Sequence, residues 1–459
     1  MSRAPSIGIP ELAGLGNYSE AARIGFSVDD TVTRLLRYQW LERAVMRTAV
    51  SHLTATPEWE VKCALGLLQW QCAEHVEGLR QRVAEMRHPL PALEQAPDPA
   101  IDRFCEELLR ARDTAELIAG VYEVAVRAVV AEYRDYLRRA NVLVDHPTRR
   151  VVRFALAELE EALWWAEDAL AAMTAGSADV VARVAAWRAH LVLFLAAAGG
   201  VSGMEAAPVG TLPRARGDTP FVPDFTPRRD DRFQGQRNFE FPPHVIYNDP
   251  SAPADERNLA LLCKRALEMD VPEMMASVMV ERTDLPWEFH RDYARQLWDE
   301  MRHAMMGTVA LEARGIDWTR IPLNVGFALR LNLHASAEER QAMLFAIEQS
   351  LMPGETGKRF EYRTAVEAGD ALSAQFQDFD WADEVLHAQI GRRWLRRCGV
   401  DPEDASARAP AIHERTWAAL DQYKNEPQRD WWDEFVRLAL GRPSAVPAER
   451  RSGLKILAE

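Results

Sequence analysis

The chain has 459 residues, 48% hydrophobic and 27% charged, enough for two or three domains with real cores, which excludes disordered, collagen-like and small disulfide-stapled proteins. Its formal charge is −14 and no Lys/Arg block is interleaved with aromatics, so nucleic acid and anionic membrane are poor partners. The five cysteines (Cys63, Cys72, Cys105, Cys263 and Cys398) are scattered and never spaced C-x-x-C, which points to a reducing cytoplasm and to neither a disulfide framework nor a thiolate metal site.

The N-terminal stretch MSRAPSIGIPELAGLG has no charged region followed by an apolar run. The most apolar segment, 191–204, is too short to span a bilayer, so the expectation is a cytoplasmic chain that is neither exported nor membrane-embedded. Almost every ordered stretch reads at helical period, giving an all-α class. In the first half, helices are predicted at about 29–52, 57–86, 100–140, 147–174 and 178–198, with turns at Pro57, Pro89, Pro91, Pro97, Pro99 and Pro147. A proline-rich stretch follows, too long for an ordinary connection. Its aromatics (Phe221, Phe225, Phe233, Phe239, Phe241 and Tyr247) favour an extended segment lying against both domains over a solvated linker.

The second half is predicted to carry helices at about 254–282 and 286–313, an irregular crossover at 314–335, helices at 336–352 and 370–398, and helical pieces near 411–424 and 428–440. Two helices, a long crossover and two more is the connectivity of a ferritin-like bundle. The expected organisation is an N-terminal helical bundle (1–200), an extended proline-rich linker (201–253) and a C-terminal di-metal domain with a helical extension (254–459).

Asp-Glu-x-x-His-x-x-x-Gly occurs twice, as DEMRHAMMG at 299–307 and DEVLHAQIG at 383–391, both inside predicted helices. Glu and His at i and i+3 project from one face, so Glu300/His303 and Glu384/His387 each offer a carboxylate and an imidazole together. Two such helices facing each other supply a ligand set suited to iron or manganese. Asp299 and Asp383 point about 100° around their helices, from where each could accept a hydrogen bond from the distal N–H of a metal-bound histidine. Gly307 and Gly391, one turn beyond, allow close helix approach or leave a cavity.

A four-helix site needs one more carboxylate from each remaining helix. Before residue 286 the candidates are Glu268, Asp270 and Glu273; Glu268 is nearly level with Glu300, while a kink at Pro272 would bring Glu273 closer to His303, and geometry leaves the choice open. Before the second motif, Glu348 is the only acid in an apolar stretch and leads, with Glu355, Glu361 and Glu367 behind it. Tyr293, two turns before Glu300, is expected to pack in the core.

The doubled motif resembles the ferritin-like di-iron carboxylate superfamily. More narrowly, residues about 240–398 resemble a bacterial ferritin-like family of unassigned function, through Pro286-Trp287-Glu288-Phe289, Asp299-Glu300-Met301-Arg302-His303 and Gly369-Asp370. In that family a glutamate stands fourteen residues before the tryptophan, which here is Glu273. The family's E-A-R-G stretch precedes the last helix, whereas here Glu312-Ala313-Arg314-Gly315 follows the first motif. The resemblance implies a metal set of Glu273, Glu300, His303, Glu348, Glu384 and His387, holding two iron ions (Fe/Fe or Mn/Fe), with O2 as co-substrate. Glu300, Glu384, Asp299 and Asp383 would serve the reaction, which would oxidise a small organic substrate.

No nucleotide or flavin loop is apparent, so electrons would come from an external reductase or ferredoxin, and a homodimer is compatible with the sequence. Ferroxidase or metal-handling activity, or a non-catalytic helical scaffold, are the rival functions. The first half looks like a worn copy of the second: Gln71, Glu74 and Gly78 stand where Glu300, His303 and Gly307 do, and His75 is one place off. Glu158, Glu160 and Glu161 cluster with Trp164 in place of a histidine, and Glu42 and Glu132 could fill the single-carboxylate positions. That half is expected to be metal-free and structural.

Overall fold

The computed structural model describes residues 8–87, 93–206, 213–423 and 425–451. Its regular elements are all helical, with no strand among the described residues. The chain forms two compact units, Met1–Ala49 with Leu68–Val222, and Val50–Leu67 with Pro223–Glu459. This division differs from the expected one in two places. The turn between the first two long helices groups with the second unit, and residues from Pro223 onward are part of that unit rather than a linker.

The first unit is built on α1 (Val28–Leu53), α2 (Trp59–Glu85), α3 (Pro99–Leu108), α4 (the run Thr114–Ile118, π-helical Ala119–Val126 and Arg127–Arg139), α5 (His146–Thr174) and α6 (Ala178–Ala197). The turns expected at Pro89 and Pro91 lie outside the described residues. The predicted 100–140 helix is two helices, because Asp113 caps a new start by accepting from the Glu116 amide at 2.9 Å. One helix among the described residues, α6, is long and apolar enough to cross a membrane, with mean hydropathy 1.6, so the most apolar span begins earlier than the sequence reading put it. Its polar groups are paired within the unit: Arg188 with Glu123 at 2.7 Å and His190 with Glu107 at 2.7 Å.

The second unit contains α7 (Ala254–Leu267), α8 (Asp270–Glu281), α9 (Trp287–Glu312), α10 (Gly326–His334), α11 (Ala337–Ser350), α12 (Lys358–Glu367), α13 (Ala371–Arg397), α14 (Pro402–Ala418) and α15 (Trp432–Leu440). The predicted 254–282 helix breaks because Pro272 offers no N–H and its ring clashes with the carbonyl four residues back, that of Glu268. Helix α10 lies inside the expected crossover, and α12 was not foreseen. A capping box between Ser336 and Glu339 starts α11, and the Asp370 side chain starts α13 by accepting from Ser373 at 3.0 Å.

The proline-rich segment contributes core. Phe233 packs between Trp59 and Trp318 at ring distances of 5.8 and 5.5 Å, and Phe241 lies 5.7 Å from Trp431. Trp431, Trp432 and Phe435 are buried and form the apolar face of α15. Helix α9 packs on α7 and α13, and α13 packs on α11 and α12.

Gly307 is where α9 meets α7. A Cβ there would lie 2.8 Å from the Arg265 Cβ and closer still to the Ala266 amide nitrogen. Gly307→Ala should therefore destabilise the protein by about 1–3 kcal/mol, read as a lower urea midpoint with an unchanged slope. A wild-type midpoint would show that α7 can yield.

Candidate metal centre

The i, i+3 spacing of both motifs does what helix geometry requires. Glu300 and His303 leave α9 on one face, and Glu384 and His387 leave α13 toward them, with the two imidazole centroids 5.8 Å apart. Glu348 comes from α11. The structure groups the donors in two sets whose ligand atoms lie within 4.8 Å of one another: Glu300, Glu348, Glu384 and His387 in the first, and Glu268, His303 and Asp380 in the second.

In the first set, His387 Nδ1 is 3.1 Å from Glu300 Oε1, 3.5 Å from Glu384 Oε2 and 3.9 Å from Glu348 Oε1. In the second, His303 Nδ1 is 3.3 Å from Asp380 Oδ1, and it is 3.6 Å from Glu300 Oε2. The two aspartates act crosswise: His387 Nε2 faces Asp299 at 3.4 Å and His303 Nε2 faces Asp383 at 3.3 Å. Each motif's aspartate thus orients the other motif's histidine. Arg302 bonds both aspartates, 2.8 Å from Asp383, and Arg295 holds Asp299 at 2.8 Å.

Glu300 Oε1, Glu384 Oε2, His387 Nδ1 and His303 Nδ1 are buried and have no hydrogen-bond partner among the described residues. If Nε2–H donates to the aspartate, a neutral ring turns its Nδ1 lone pair toward carboxylate oxygens. Lone pairs facing each other require a cation between them, either a proton or a metal ion. The carboxylate-rich, histidine-poor donors are those iron and manganese take, so the residues fit such an ion.

Electrostatics gives the metal-free state the proton. Burial alone would depress His303, but Asp380, Asp383 and Glu300 hold it up at about 10. His387 is likewise held well above the usual range, its burial outweighed by Asp299, Glu300 and Glu384. Burial raises Glu348 well above the usual carboxylate range, and the charges of Glu384 and Glu300 raise it further. Burial also raises Glu384, but Lys358 and His387 overcome this and hold it ionised.

Sequence reasoning misplaced one residue and missed others. Glu273 is in neither set: it is fully buried, 2.6 Å from Lys62 Nζ and 3.1 Å from Arg229 Nη2. The break at Pro272 turns the chain, so Glu268, the C-cap of α7, takes the inward position instead. Among the alternatives to Glu348, Glu355 is solvent-exposed, Glu367 pairs with Arg257 at 3.0 Å and Glu361 is buried against Lys264 and Arg265. Asp380, Lys358, Arg265 and Gln296, which donates to Glu348 at 3.1 Å, were not singled out. Asp380 was findable, one helical turn before Glu384 and on its face. Tyr293 stacks on Phe289 at 4.2 Å, as core.

In the first unit, Glu74 and Trp164 face solvent, so neither stands where a ligand would. The inward histidine is His75, with Nδ1 2.7 Å from Glu42 and Nε2 2.8 Å from Glu158. Tyr133 also bonds Glu42, Glu132 pairs with Arg34 at 2.9 Å, and Glu160 pairs with Arg134 at 2.7 Å.

No family model, no curated protein and no solved structure matches this chain.

Two outcomes follow from these protonation states. His387 and Glu348 are both shifted toward their protonated forms, so a metal bound there would displace protons and adding Mn(II) in weak buffer at pH 7 should acidify the solution; uptake without proton release would contradict the assignment. His75 is lowered by burial but raised to about 9 by Glu42 and Glu158, above an unfolded value of about 6.5. Its contribution to stability is complete below about pH 6.5 and disappears as pH rises through about 9. The melting-temperature gap between wild type and His75→Gln should narrow across that window, and a gap that widened would refute the bridge.

Proposed function

We propose that the chain is a ferritin-like, non-haem metal oxidoreductase that uses dioxygen to oxidise a small organic substrate. Iron, alone or with manganese, would be held by Glu300, Glu348, Glu384 and His387. The observation that carries this reading is the convergence of unpartnered buried donor atoms on one point, oriented from behind by crosswise aspartates. When bound, the metal supplies the redox chemistry of dioxygen.

The chain's own residues do the rest. Glu300, Glu348, Glu384, His303 and His387 are at most 3% exposed, which keeps bulk water from the reacting centre. Asp299 accepts from His387 Nε2 and fixes which nitrogen faces the metal. A half-open pocket of about 470 Å³, lined by Phe345, Gln349, Arg392, Arg396, Asp401, Pro402 and Glu403, is of small-molecule size; none of the proposed donors lines it. Electrons would arrive from a separate reductase or ferredoxin.

A second reading, a charge-balanced scaffold without redox activity, is favoured by the contacts of Lys358 and Arg265 with the carboxylates. Metal content separates the two. Protein expressed with iron and manganese available should retain metal, and His387→Ala should lose it. Reduced, iron-loaded protein should oxidise rapidly on stopped-flow mixing with oxygen, and Asp299→Asn should slow this by about 10–100-fold while keeping most of the metal. A loaded protein inert to both oxygen and peroxide would favour the scaffold.

A further inference from the structure

The doubled motif suggests two equivalent metal positions, but their surroundings are not equivalent. In the first set, three carboxylates meet, and among the described residues the one lysine or arginine paired with them is Lys358, 2.7 Å from Glu384 Oε1. The atoms that converge, Glu300 Oε1, Glu384 Oε2 and His387 Nδ1, are unpartnered among the described residues and belong to residues at most 3% exposed.

The second set also has atoms without a hydrogen-bond partner among the described residues, Glu268 Oε2 and His303 Nδ1, but lysine and arginine already stand among its carboxylates. Lys358 Nζ lies 3.0 Å from both oxygens of Asp380. Arg265 bonds Asp380 and approaches Glu268 at 2.8 Å. Glu361, next to them, is taken up by Arg265 at 3.0 Å and by Lys264. Glu268, Asp380 and Glu361 therefore lie among Arg265, Lys358 and Lys264, with Lys358 shared between Asp380 and Glu384. A divalent ion placed among Glu268, His303 and Asp380 would stand beside two fixed positive charges and compete with them for the same oxygens.

We propose that the centre holds one metal ion, at Glu300, Glu348, Glu384 and His387, and that the Lys358 ammonium, backed by Arg265, stands in the second ion's place. This rests on the metal-dependent reading above and refines its stoichiometry. Lys358 takes Glu384 Oε1 and leaves Oε2 for the ion. His303 is then a positioning residue between Asp383 and the carboxylates, and its ring does not ligate. Sequence symmetry is retained while the chemistry becomes one-sided.

The test is anaerobic dialysis of the full chain against Fe(II) or Mn(II), followed by elemental analysis and Mn(II) electron paramagnetic resonance. Wild type should hold one ion per chain with an isolated-ion spectrum. His387→Ala should lose that ion and His303→Ala should keep it. Lys358→Met, which removes the charge and frees Asp380 and Glu384 Oε1, should admit a second ion and give an exchange-coupled spectrum, whereas Lys358→Arg should stay at one. Two ions in wild type, loss of the ion in His303→Ala, or a folded Lys358→Met that still holds one would each overturn the proposal. If Lys358→Met does not fold, the two histidine variants decide alone. Wild-type protein that takes up no metal would instead defeat the metal-dependent reading, an outcome distinct from finding two ions.

Discussion

Buried negative charge is the constraint around which the second unit is arranged. Asp299, Glu300, Glu348, Glu361, Asp380 and Glu384 are all at most 3% exposed. An ionised carboxylate left unpaired at such a depth costs several kcal/mol, so each neighbouring element has to bring a positive charge or a proton. Helix α7 brings Arg265, α12 brings Lys358 from its first turn, and α9 and α13 bring the two histidines. At the outer end, Arg295 and Arg302 hold the aspartates that hold the histidines. The same negative charge raises both imidazoles and Glu348 toward their protonated forms. Protons held there would occupy the positions a metal would use, so the contacts that balance charge in the fold are those a metal would draw on.

The first unit solves a similar problem differently. His75 spends both ring nitrogens on carboxylates, at 2.7 and 2.8 Å, so its proton already does what a metal ion would. In the second unit each histidine gives one nitrogen to an aspartate and keeps the other for the carboxylate cluster. That one difference in how the ring is shared separates an internal ion pair from a site able to accept a cation. It also explains why aligning Gln71 and Glu74 with the second-half motif misleads: Glu74 projects outward, and the inward turn of α2 is carried by Gln71 and His75.

Helical class and the two helices that bring Glu300, His303, Glu384 and His387 together were legible because they depend on periodicity and i, i+3 spacing, which are local. The crosswise role of Asp299 and Asp383 was legible in kind, since a residue preceding the ligand sits about 100° around the helix. Partner identity was not, because which aspartate meets which histidine depends on how α9 and α13 are set against each other. From the 254–282 region, helix geometry leaves both Glu268 and Glu273 open, and the family spacing is what favours Glu273. Pro272 ends α7 rather than bending it, which leaves Glu268 facing His303. The proline-rich segment carried its own correction in its aromatics: Phe233, Phe239 and Phe241 are core residues of the second unit.

Lys358 lay beyond such reasoning because it falls between the helices expected at 336–352 and 370–398, where no element was expected. A motif search counts ligands, and nothing in an E-x-x-H spacing registers a lysine from another helix. Yet the lysine decides what the ligands can hold. The two motifs are near copies, so the difference between their positions comes from outside them: from Asp380 on α13 where α9 has Gln296, and from the flanking helices. Helix α7, ended by Pro272, contributes Arg265 and Glu268 to one side, and α11 contributes Glu348 to the other, with Lys358 reaching Asp380 and Glu384 from α12. Helix spacing sets where donors can be, and the charge balance supplied by the flanking helices sets which of them remain available to a metal.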